Sequence, residues 1–106
     1  MAKYLVTGSY TAEGLKGLLK EGGSGRRKAV ETAVESMGGR LEAYYFSFGG
    51  DDVVSIVDVP DNVTAAALAI GISSTGTVGT KTTVLLTPEE VDEATKKTLA
   101  FRAAGQ

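Results

Sequence analysis

Residues 44–57 read Tyr-Tyr-Phe-Ser-Phe-Gly-Gly-Asp-Asp-Val-Val-Ser-Ile-Val, two strand-like runs around a Gly/Asp turn. Aromatic and β-branched side chains suit a pleated, half-buried surface. Gly49-Gly50-Asp51 supplies residues that accept the positive φ angles of a short hairpin. The hairpin constrains the fold because the flanking sequence is nearly symmetric about it. One strand–helix passage precedes it, one helix–strand passage follows, and a further helix comes last.

Lys3–Thr7 forms a first strand that runs into Gly8-Ser9-Tyr10. Thr11 caps a helix whose apolar stripe is Leu15, Leu18 and Leu19, at i, i+3, i+4 spacing. Gly22-Gly23-Ser24-Gly25 interrupts that pattern, and Ser24 can cap a second segment carrying Val30, Ala33, Val34 and Met37. Gly38-Gly39 ends it. The two segments are either one broken helix or two helices at an angle. Beyond the hairpin, Pro60-Asp61-Asn62 offers a turn and an N-cap. Residues 63–70 are Ala-rich and apolar nearly all round, the pattern of a helix buried on more than one side. Thr77 to Leu86 is a Thr/Val-rich strand, and Thr87-Pro88-Glu89-Glu90 is a capping box that opens a last helix to about Lys97. The order is β-α-β-β-α-β plus a C-terminal helix: an α+β, ferredoxin-like domain with a four-stranded antiparallel sheet. Residues 1–97 form this single domain, and residues 98–106 are a tail or an extension of the last helix.

Helices can cover only one face of such a sheet, yet both faces read as apolar. The second strand sets Leu41, Ala43 and Tyr45 against Tyr44, Phe46 and Phe48, and the first sets Tyr4 and Val6 against Leu5. The uncovered face needs another layer, and a second copy of the chain supplies it most simply. A homodimer, or a multiple of dimers, is expected.

Composition narrows the chemistry. The chain has no His, Cys or Trp. Disulfides, thiolate nucleophiles, imidazole bases and tightly held zinc or haem are therefore not expected, and no cofactor is called for. Proton transfer would fall to a carboxylate, Tyr or Lys. A net charge of -2 without a basic cluster on one face argues against a nucleic-acid partner. No run approaches the length of a membrane span and the start has no signal-like character, so the chain reads as cytoplasmic, with no membrane partner.

Three groups of residues invite a chemical reading. Asp51 and Asp52, with Asp58 further on, are paired carboxylates. Strand neighbours point to opposite faces, however, and Asp is a common turn residue, so turn chemistry takes precedence. Gly22-Gly23-Ser24-Gly25-Arg26-Arg27-Lys28 places glycine amides, a helix start and three cations together, as an anion site would. It lacks the spacing of a phosphate-binding loop, and Glu31 lies four residues after Arg27, so a flexible break with a solvated first turn is the simpler account. Tyr10, Tyr44, Tyr45 and Lys81 can line a small pocket between sheet and helices, although strand aromatics are more often core or interface residues. The candidate ligand-binding residues are Tyr10, Tyr45, Lys81, Arg26, Arg27 and Asp52; no catalytic or metal-binding residue is identified.

The segments Lys3–Thr11, Gly14-Leu15-Lys16-Gly17-Leu18, Gly38–Glu42, Phe48–Val54 and Lys81-Thr82-Thr83 resemble the GYD-domain proteins of bacteria, and the likeness spans residues 1 to about 97. It implies membership of the dimeric α/β-barrel superfamily, in which two ferredoxin-like sheets pack face to face. It implies no particular reaction. Where that family carries Gly-Tyr-Asp at the hairpin, this chain has Gly50-Asp51-Asp52. Two function classes follow: a non-catalytic, oligomeric small-molecule-binding or assembly module, or a cofactor-independent enzyme similar to the superfamily's monooxygenases and lyases. Those enzymes rely on His, Trp or Asn in the pocket. The chain lacks the first two, and its one Asn, Asn62, stands at a helix start. The binding or assembly class is favoured.

Overall fold

In the computed structural model, which describes residues 1–106, the elements are β1 (Ala2–Tyr10), α1 (Ala12–Ser36), β2 (Arg40–Phe46), β3 (Val53–Val59), α2 (Asn62–Ser73), β4 (Val78–Leu85) and α3 (Pro88–Thr95). The strands form one sheet in the order β2-β3-β1-β4, every neighbouring pair antiparallel. This is the ferredoxin-like arrangement expected from the sequence. Tyr4, Val57 and Val59 of the sheet bury against Val34 of α1 and Ala65 of α2, so both helices lie on one face. No helix is long and apolar enough to cross a membrane.

Local chemistry places the helix ends. Thr11 Oγ1 accepts the Gly14 amide at 3.2 Å, and Asp61 Oδ1 accepts the Thr64 amide at 2.8 Å. Thr87 and Glu90 close the capping box reciprocally, at 3.1 and 2.9 Å. The Gly-rich stretch proves to be a break within one helix: Gly22 has φ 76° and ψ 170°, a conformation that costs glycine little. α3 ends at Thr95, two residues before the expected Lys97, and buries nothing.

Three expectations need correction. The turn between β2 and β3 does not use positive φ at Gly49 or Gly50. Phe48 takes that role with φ 52°, and its ring stacks on Phe46 at 5.7 Å. The turn is closed by Ser47 N–H donating to Asp52 O at 2.9 Å and Ser47 Oγ donating to Asp51 O at 2.5 Å.

The faces of β2 also differ from simple alternation. Leu41 pairs with Val57 but Ala43 pairs with Ile56, so Glu42 is the extra residue of a β-bulge. Leu41 therefore shares the helix-covered face with Tyr44 and Phe46, while Ala43 and Tyr45 face the other way.

The helices are less buried than their patterns suggest. Leu19 of α1 is 86% exposed and Ile70 of α2 is 70% exposed, because one chain supplies no layer outside them.

The uncovered face of the sheet carries Leu5, Val54, Ile56 and Leu85, with a charged cluster at one end. Asp58, itself buried, accepts from Lys3 Nζ at 2.9 Å and from Arg40 at 2.8 Å; Lys3 also reaches Glu42 at 2.7 Å. The Lys3 hydrogen bond, reinforced by Arg40, holds the Asp58 carboxyl below its ordinary value. A depressed carboxylate stabilises the fold above its unfolded pKa of about 3.9 and loses that contribution as pH falls through the folded value. Asp58→Asn is therefore expected to cost about 1–2 kcal/mol at pH 7, since the two partner cations keep contact with water. Thermal melts between pH 2 and 7 should show the variant losing less stability below pH 4 than the wild type does. Parallel curves would refute the assignment.

Candidate functional site

α1 packs chiefly on β2 and α2 on β4, and between them lies a cleft of about 540 Å³. This falls within the range of small-molecule cavities, roughly 300–1,000 Å³. Val30 and Ala33 of α1 face Leu68 and Ile72 of α2 across it, and Val78 contributes from β4. The walls are apolar because these positions follow the inward stripes of both helices. On the α2 side the wall alternates small residues, Ala67 and Gly71, with the larger Leu68 and Ile72.

One end of the cleft is polar. Arg26 lines the cleft, a hollow of about 50 Å³ beneath α1, and a further groove beside Gly14 and Gly17. The inner hollow brings Tyr10 and Tyr44 to Arg26, with Ser55 and Thr80 on its floor. The break at Gly22 resets the phase of α1, and Gly23 lets the helix lie on the Phe46 ring: a Cβ there would stand 3.0 Å from Phe46 Cε2. Together these direct Arg26 inward. Its guanidinium pairs with Glu21 at 3.3 Å. Burial, and then the neighbouring Tyr10 hydroxyl, hold the Tyr44 phenol well above its ordinary value, with Arg26 opposing. The site pairs an apolar trough with a smaller hollow that holds two phenols, and Arg26 stands where the two meet.

A family model for the GYD domain matches residues 4–95. The chain belongs to the GYD-domain family. No curated protein and no solved structure matches it.

Within this GYD domain the residues singled out from sequence fall into separate places. Tyr10 and Arg26 meet in the inner hollow beside the cleft, with Tyr44. Tyr45 and Lys81 do not join them. Each pairs across the sheet with a residue of the uncovered face, Tyr45 with Val54 and Lys81 with Thr7. Asp52 braces the site from behind by accepting the Tyr10 amide at 2.8 Å. Asp51 works in the turn, accepting from Ser9 Oγ at 3.3 Å and lying 3.8 Å from Lys81. Arg27 lines a shallow groove between α1 and β2, with Lys28 and Glu31. There Lys28 pairs with Glu31 at 3.3 Å, in place of the Arg27–Glu31 pair suggested by spacing. The three cations therefore diverge, and only Arg26 enters the cleft. Leu68, Ile72 and Val78 were not legible as cleft residues, because an apolar stripe looks the same whether it meets protein or ligand.

Proposed function

We propose that this GYD domain is a non-catalytic, homo-oligomeric module that binds a small amphipathic molecule in the cleft between α1 and α2. The observation that carries the reading is the position of Arg26, which borders both the apolar trough and the adjoining hollow where Tyr10 and Tyr44 stand. A ligand with a compact anionic or acceptor head and an apolar body of several carbons matches that arrangement. The head would compete with Glu21 for the Arg26 guanidinium, and the body would lie along Val30, Leu68 and Ile72. Binding without turnover fits the cluster, since the hollow is lined by a guanidinium and two phenols and by no carboxylate or amine. Self-association follows from the uncovered sheet face, where Leu5, Val54 and Ile56 form an apolar surface that a second copy can bury.

Octanoate and 1-octanol separate the two ends of the site. Octanoate is expected to raise the melting temperature in a saturable way, and octanol to do so less. Arg26→Gln should weaken octanoate binding about 10- to 100-fold, the loss of one charge-assisted hydrogen bond, while leaving octanol unchanged. Equal octanoate affinity in wild type and variant would refute the site. Native mass spectrometry of protein isolated gently from its source would report any retained molecule and the assembly mass together.

A further inference from the structure

The chain exposes 7133 Å² of surface, whereas a compact folded chain of 10.9 kDa exposes about 5,600 Å². Its radius of gyration is 16.9 Å, against about 13 Å for a compact domain of this length. The excess has a clear source. α3 leaves the sheet margin directly after β4, has no extensive contact with any other element and has no buried residue. Beyond it, Leu99 and Phe101 are 80% and 76% exposed.

An eight-residue helix has little stability of its own, since isolated helices shorter than about 12 residues are marginal in water even with good helix formers. The capping box fixes where α3 starts but contributes only about 1 kcal/mol. The helix therefore needs a surface to lie on, and its own chain offers none within reach. Only Leu86 and Thr87 separate β4 from α3, so the helix begins at the sheet margin, yet it buries no residue there.

We propose that α3 and residues 96–106 form an arm that packs on a second copy of the chain, with Leu99 and Phe101 seated on the margin of that copy's uncovered sheet face. The area agrees: the surplus of about 1,500 Å² exceeds the ~800 Å² that each partner buries in a standard interface. Self-complementarity agrees as well, because the same chain carries both an apolar projection and an apolar face without a covering layer. A twofold arrangement lets each copy give one arm and receive one. Charge points the same way. The first turns of the arm carry Glu89, Glu90, Asp92 and Glu93, and the β4 margin of the uncovered face carries the exposed cation Lys81. This inference rests on the self-association proposed above and adds a second, separable contact to it.

The full chain with Leu99→Asp and Phe101→Asp tests the arm, because neither residue packs within its own chain and the fold of the subunit is not at risk. Sedimentation velocity over a dilution series should show the dimer dissociation constant rising about 100-fold, with an unchanged circular dichroism spectrum. A wild-type monomer would overturn both the self-association and the arm. A wild-type dimer whose affinity the double variant leaves unchanged would overturn the arm alone. Because the chain lacks cysteine, Phe101→Cys also accepts a single benzophenone label. Irradiation should give covalent dimers with the adduct on β4 or β1 of the other copy; adducts confined to the same chain would overturn the proposal.

Discussion

Replacing Gly14 with alanine is expected to lower the melting temperature by about 12–25 °C, the consequence of a loss near 3 kcal/mol in a domain of this size. Gly14 is buried at the start of α1, where the helix touches the turn before β4. A Cβ at this position would stand 1.9 Å from the Thr77 carbonyl oxygen and 2.7 Å from Tyr10 Cδ1. The first of these is backbone, which cannot rotate aside as a side-chain end can. It is also held in place, since the Thr11 amide donates to Thr77 O at 2.9 Å. The same substitution three residues later should act in the opposite direction. Gly17 has nothing within 4 Å of its virtual Cβ, so alanine there should stabilise the helix by about 0.5–1 kcal/mol. Melting curves of the two variants give the check. A mild effect at Gly14, or a loss at Gly17, would mean that α1 sits differently on the sheet.

Ile56→Glu is expected to convert a dimer into a folded monomer of 10.9 kDa. Ile56 lies in the middle of the uncovered face, between Leu5 of β1 and Ala43 of β2. In a single chain the glutamate would reach water and the fold would survive. In a sheet-on-sheet dimer it would be an unpaired buried charge, costing several kcal/mol. About 4 kcal/mol corresponds to a roughly thousand-fold weaker dimer. Light scattering after size exclusion reports the mass, and near-ultraviolet circular dichroism confirms that Tyr and Phe packing persists. A variant that remains dimeric at unchanged affinity would place the interface on another surface, such as the exposed apolar side of α2.

Much of the architecture could be read from local chemistry. Thr11, Asp61 and Thr87 cap their helices because their side-chain oxygens meet unpaired amides, an interaction confined to one turn of chain. Element order and strand direction follow from equally local signals. What escaped the reading depends on distance. One residue too many in β2 leaves the alternation of side chains looking normal on either side, so the sequence pattern sets Ala43 beside Leu41 although they point apart. Tyr45 and Lys81 resemble Tyr10 as site residues for a related reason, since type alone does not reveal which face a strand residue takes. Phe48 took the strained turn position because its ring finds Phe46, a tertiary contact that turn propensities do not contain. The cleft was hidden most completely. Its walls carry the same valines, leucines and alanines that would fill a core, and only the spacing between α1 and α2 separates the two outcomes.

The bulge at Glu42 has a consequence for how this strand tolerates change in length. Arg40 opposite Asp58, Leu41 opposite Val57, Ala43 opposite Ile56 and Tyr44 opposite Ser55 make an unbroken ladder once Glu42 is left out of the count. Loss of that one residue would keep every pair and every facing side chain in place, and would sacrifice only its ion pairs to Lys3 and Arg40. Loss of Tyr44 instead would set Glu42 opposite Ile56 and turn Ala43 to the helix-covered face opposite Ser55. Evolution can therefore shorten β2 by one residue at a single point without rewriting the surface on either side of it.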